Sequence, residues 1–146
     1  MAHRIPPAAR AHIPPGASIT RVERMSRAFV KYHLDDGSVL HRFTQPEPSS
    51  DPHDHPFAID IEVLSGGYVE EVFTRGEGGW RATLVHRVPG ETHRLAAEHV
   101  HRVVELPTGE CWTRARYAAS ERITCFWRFG DDIRRRRWNS RRWERV

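Results

Sequence analysis

The chain has 146 residues, 38% of them hydrophobic and 29% charged, with a net charge of +4. That length suits one domain able to bury its own core, and no stretch approaches the roughly 20 apolar residues that cross a bilayer as a helix. The start of the chain lacks the apolar core of a signal peptide, so the expected location is the cytoplasm. Two cysteines, Cys111 and Cys125, are too few for a disulfide framework and lack C-x-x-C spacing. They are expected to be free thiols buried in strands.

Residues 1–17, with four prolines and little apolar pattern, are expected to form a loose N-terminal arm, with "AARAHI" a plausible short helix. From there β-branched and aromatic residues alternate with polar ones in short runs: "SITRVERM", "AFVKYHL" and "SVLHRFT". Asp36-Gly37 between the second and third signals a hairpin turn. "QPEPSSDP" must be loop, and "FAIDIEVLSG" a strand that Gly66-Gly67 turns into "YVEEVFT". "RGEGG" and Pro89-Gly90 bracket the strand "WRATLVHRV". "ETHRL", "HVHRVVEL", "CWTRARYA" and "RITCFWRF" follow as further strands. About ten short strands with Gly/Pro turns, and no sustained helical period, predict an all-β sandwich or jelly roll. The domain is expected over residues 18–130, with an Arg/Trp-rich C-terminal tail over 131–146 whose arginine run is the other plausible short helix.

The segment "DPHDHPFAIDIEV" brings His53, His55, Asp60 and Glu62 to the edge of a buried strand. Burying such groups is costly unless they are paired. Alternate residues of a strand face the same side, so His53 and His55 point together, and a wrapped fold must bring further ligands from elsewhere. By parity Asp60 and Glu62 share a face, while His101, His99 and His93 are the histidines available downstream.

Two clusters carry a resemblance. His53-x-His55 is followed after four residues by Asp60 and after six more by Gly67. Gly90 is followed after five residues by Ala96-x-Glu98, and after two more by His101. The chain resembles the cupin family in these spacings, over roughly residues 20–130. Asp60 stands where that family usually has glutamate, Ala96 and Glu98 where it has proline and glycine, and Glu105 where it often has asparagine. "HDHPF", "LSGGYVEE" and the Trp-containing "CFWRFG" are also similar to small bacterial and phage-associated cupins. The resemblance implies a cupin-type jelly-roll β-barrel with a divalent metal on His53, His55, Asp60 and His101. Iron is the first choice, with Mn, Ni, Co or Zn as the others. Glu62 would then brace an imidazole. It implies a metal-dependent enzyme of non-haem iron dioxygenase type, or an isomerase, acting on a small molecule. A metal- or small-molecule-binding module without turnover is the alternative. A homodimer is expected, and no membrane partner.

Other features have plainer expectations. His33, His41 and His86 should be surface or core histidines, and most of Tyr68, Trp80, Trp112, Phe126 and Trp127 should fill the core. The tail places seven arginines among its last thirteen residues, interleaved with Trp138 and Trp143. Such a tail is usually solvated, but stacking rings among cations also make nucleic acid a partner to consider.

Overall fold

The structure, a computed structural model, describes residues 5–146. Two antiparallel sheets pack face to face as a jelly roll. The first runs in the order β1 (Ile19–Arg24), β2 (Phe29–Leu34), β3 (Val39–Phe43), β9 (Cys111–Tyr117), β4 (Ile59–Ser65) and β7 (Thr92–Leu95). The second contains β6 (Gly79–Arg87), β5 (Tyr68–Gly76) and β8 (Val100–Glu105), and, further along, β10 (Cys125–Phe129), β11 (Ile133–Arg137) and β12 (Glu144–Arg145).

One short segment joins these two halves. His53 pairs with His101 of β8 on one side and with Phe126 of β10 on the other. The His53 N–H donates to the His101 carbonyl at 3.0 Å and the His101 N–H donates back to the His53 carbonyl at 3.1 Å, while Asp54 N–H donates to Cys125 O at 3.1 Å. Residues 52–54 thus supply the missing rung, held extended by Pro52 and Pro56, which bias their preceding residues away from the helical region.

Alternation decides which side chains enter the core. Along β4, Ile59, Ile61 and Val63 are buried while Asp60 and Glu62 between them are exposed. Val63, Tyr68, Leu106 and Cys111 form a cluster between the sheets, with Phe43 and Val103 against it. A fully buried residue of Val or Leu size contributes roughly 1.5–3 kcal/mol. Cys111 and Cys125 are both free and buried, and burial pushes the Cys111 thiol up to about 12.

Two expectations change. Residues 1–4 of the expected arm lie outside the described residues, but from residue 5 the segment packs. The short helix α1 (Pro7–Arg10) places Ala9, fully buried, against Val30, Tyr32, Leu34, Leu40 and Trp112 on the outer face of the first sheet. Strands β3 and β9 bury side chains on both faces, Val39 and Cys111 on one and Leu40 and Trp112 on the other, and a sheet buried on both sides needs a cover. The arginine run is not a helix or a free tail either: Arg137 to Ile133 pair residue by residue with Cys125 to Phe129. The pairing spreads the arginines over both faces, with Arg135 above the Trp127 ring at 5.7 Å and Arg136 above Phe126 at 4.7 Å. Their guanidinium groups thus lie over aromatic rings, a cation–π arrangement. Among the described residues no helix is long and apolar enough to cross a membrane.

Candidate metal centre

Three imidazoles meet on the inner face of the second sheet. His53 and His101 are direct cross-strand partners, so their side chains stand side by side, with ring centroids 5.0 Å apart. His55, two residues on, returns to that face, 5.1 Å from the His53 ring and 4.9 Å from that of His101. One donor nitrogen from each lies within 4.8 Å of the other two. His55 and His101 are both buried and His53 half-buried.

The hydrogen bonds fix which nitrogens are free. His53 Nδ1 donates to the Asp54 carbonyl at 3.1 Å, and His101 Nδ1 faces Glu70 Oε2 at 3.4 Å, which leaves each Nε2 with its lone pair. His55 Nδ1 is buried and has no hydrogen-bond partner among the described residues. Burial first, and then the neighbouring imidazole of His101, push His53 down to about 4. The same causes, with His53 and His99 added, push His55 down further. Neutral rings with converging lone pairs are what a transition metal requires of histidine.

Behind His101 lies a carboxylate that spacing did not single out. Glu70 on β5 is fully buried and accepts from His99 Nε2 at 2.9 Å, His101 Nδ1 at 3.4 Å and Arg87 Nη2 at 3.4 Å. Burial alone would raise its pKa, but hydrogen bonds from His101 and His99, and their charge, hold it well below the usual carboxylate range. An ionised carboxylate on the far nitrogen of a ligating imidazole fixes its tautomer and strengthens it as a donor. Glu70, His99 and His101 also converge within the same 4.8 Å limit, which extends the cluster toward β5. The sequence held one signal for it: in "YVEEVF" two adjacent acids must face opposite sides. Glu71 faces outward to Arg102 at 2.8 Å.

Asp60, expected as the fourth ligand, is not at this centre. It faces outward on β4, where Arg94 grips both oxygens at 2.9 and 3.0 Å and its side chain is 57% exposed. Its neighbours Ile59 and Ile61 occupy the inner side of the strand, and an alternating strand cannot turn both inward. Glu62 faces outward with it. His93 instead meets the Tyr68 hydroxyl at 3.1 Å. His33 bonds to Glu23 at 3.0 Å, His86 is exposed, and His41 is buried against the Tyr117 hydroxyl.

The other face of the 52–54 rung is braced. Asp54, 1% exposed, accepts from Cys125 N–H at 2.6 Å and Trp127 Nε1 at 3.0 Å and pairs with Arg122 at 2.8 Å. Side chains alternate, so tying Asp54 outward aims His53 and His55 inward.

No protein-family model and no curated protein matches the chain. Solved structures do. Hydroxypropylphosphonic acid epoxidase from S. wedmorenis is similar with a TM-score of 0.50 at 10% identity, over 65% of this chain and 53% of that one. FeII HppE is similar with a TM-score of 0.51 at 11% identity, over 73% and 62%. A cupin-superfamily sugar phosphate isomerase from Silicibacter pomeroyi gives 0.47 at 16% identity, over 81% and 76%. The chain spans between half and two thirds of the length of the first two. At these identities the likeness to the first two concerns the fold alone, a jelly roll.

Proposed function

We propose that this chain, a cupin by fold, is a metal-dependent enzyme in which His53, His55 and His101 hold one divalent transition metal. The observation that carries the reading is the convergence of one donor nitrogen from each of three histidines, two of them buried, together with a buried His55 Nδ1 that has no hydrogen-bond partner among the described residues. The donor set fits: imidazole suits Fe, Ni, Cu and Zn, and three protein ligands leave positions open. Iron(II) is the first choice, with small-molecule oxidation of dioxygenase type as the reaction; the likeness in fold to FeII HppE supports such chemistry on this scaffold. Bound there, the metal would polarise a substrate oxygen or, as iron(II), supply electrons to dioxygen. The protein's own part is to keep the His53 and His55 rings neutral, to orient His101 through Glu70, and to seat His53 through the Asp54 brace. A second reading, a closed metal-binding module without turnover, is favoured by the near-complete burial of His55 and His101.

The test is metal content of protein purified without chelator or nickel resin, beside a His53→Ala/His55→Ala variant, each then offered Fe(II), Mn(II), Co(II), Ni(II) and Zn(II). Near-stoichiometric metal that the variant loses supports the centre. A wild-type chain that takes up none of the five ions would exclude it. Metal uptake with slow, substrate-independent exchange and no open position detectable by azide binding would favour the closed module.

A further inference from the structure

The register that pairs His53 with His101 continues across the sheet. Val72 of β5 lies opposite His101, His101 opposite His53, His53 opposite Phe126, and Phe126 opposite Arg136. Directly paired residues share a face. Arg136 therefore stands in one row with two of the three histidines, on the side that carries their rings. Neighbouring strands lie about 4.8 Å apart, so two strand spacings put the Arg136 backbone about 10 Å from that of His53. Its long side chain lies across the Phe126 ring, 4.7 Å from the centroid, and that ring is 6.5 Å from the ring of His53.

The guanidinium is held but not used up. Phe126 lies at 4.7 Å and Trp143 at 5.4 Å from it, so rings occupy its surroundings. Its Nη1 donates to the Ser140 carbonyl at 3.0 Å, which leaves most of its five N–H donors free. Asp51 pairs with Arg128 at 3.1 Å, and Asp132 with Arg145 at 2.8 Å and Arg134 at 3.7 Å, while Arg136 has no carboxylate partner among the described residues. Trp143 is itself pinned by Arg128 at 4.0 Å. A planar fork fixed by aromatic contacts, with open donor edges, is preorganised for two parallel bonds to a carboxylate. Aromatic packing around it also thins the water that would otherwise screen the charge.

We propose that Arg136 is the anchor for a small organic anion, binding its carboxylate while the other end of the molecule reaches the metal held by His53, His55 and His101. The inference rests on the metal reading above and adds the substrate class: a short, doubly functional acid that bridges the metal and the arginine. Phe126 forms the floor between the two ends, and Ser140 and Trp143 hold the guanidinium in its plane. Arg136 is a substrate-positioning group with no part in proton or electron transfer.

The experiment uses the full chain loaded with cobalt(II), whose visible spectrum reports ligands entering its coordination sphere. Malonate, succinate and glutarate are titrated beside acetate, into wild type and into Arg136→Gln, Arg136→Lys and Arg134→Gln. Melting curves check that each variant folds. One dicarboxylate should bind wild type more tightly than acetate by about ten- to a hundredfold. Arg136→Gln should lose that advantage while acetate binding stays unchanged. Arg136→Lys should restore only part of it, because the ammonium lacks the fork. Arg134→Gln removes the same charge from the same face of the same strand and should leave the advantage intact. Dicarboxylate binding that survives in Arg136→Gln, or falls equally in Arg134→Gln, overturns the assignment and leaves the metal centre standing. A wild-type chain that binds no cobalt(II) removes the metal reading and this one together.

Discussion

Exchanging the two carboxylates in turn separates the centre that the fold builds from the one that motif spacing implies. Glu70→Ala deletes a fully buried anion that faces His99, His101 and Arg87 at 2.9, 3.4 and 3.4 Å. Removing one member of a buried charged network costs about 3–5 kcal/mol. Two of the contacts are long and Arg87 keeps Glu91 at 3.7 Å, so the lower end, about 3 kcal/mol, is expected. In a domain of this size each kcal/mol moves Tm by about 2–4 °C, which gives a fall of roughly 6–12 °C. Glu70→Gln keeps the volume and an acceptor and should cost about 1–2 kcal/mol. It should still weaken metal binding by about 10- to 100-fold, because His101 loses the carboxylate that orients it. Asp60→Ala breaks only an exposed pair and should cost under about 1 kcal/mol with metal affinity unchanged. The assay is a competition titration against a chelating dye, with melting curves on the same samples. If Asp60→Ala loses metal while Glu70→Gln keeps it, the assignment of Glu70 behind His101 is refuted.

Further outcomes are expected from the same structure. Asp54→Ala leaves Cys125 N–H, Trp127 Nε1 and Arg122 without their acceptor and should cost about 3–5 kcal/mol in chemical denaturation; a loss below about 1 kcal/mol would contradict the brace. A Cβ at Gly66 would sit 1.8 Å from the Glu110 carbonyl oxygen on a backbone with φ of +79°, so Gly66→Ala should cost roughly 2–4 kcal/mol. Gly37→Ala, where φ is +84° but the space is open, should cost about 1 kcal/mol. Burial, with Lys31 and His33 nearby, pushes the His41 imidazole from 6.5 down to about 3, so the folded chain takes up this proton less readily than the unfolded one. That stability is whole above pH 6.5 and falls by about 1.4 kcal/mol per pH unit as pH drops from about 6.5 toward 3. In denaturation measured across this range, His41→Gln should lack that slope relative to wild type.

What the sequence discloses follows from how local each cause is. The hairpin at Asp36-Gly37, the turn at Gly66-Gly67 and the strands around them are legible because alternation and turn chemistry act over a few residues. The shared direction of His53 and His55 is legible for the same reason. Asp60 shows spacing by resemblance set against a signal in the same five letters: in "IDIEV" the aliphatics claim the core face, and any strand with one buried side turns its acids out. Weighing the burial of Ile59, Ile61 and Val63 against one carboxylate would have placed Asp60 outside. Glu70 is different, because "YVEEVF" does not say which acid turns inward. That depends on the register of β5 against β8, which sets Val72 opposite His101 and so puts Glu70 on the histidine face. The arginine run is the same case in reverse, since its pattern is that of a solvated tail until β10 offers Phe126 and Trp127 as surfaces for its guanidinium groups. Both of these features were decided by strand pairing, and that pairing also makes one row of His101, His53, Phe126 and Arg136. The chemistry of this chain is therefore a property of sheet register more than of motif letters. A substitution that slipped β10 by one residue would turn Phe126 away from His53 while leaving every proposed ligand in place.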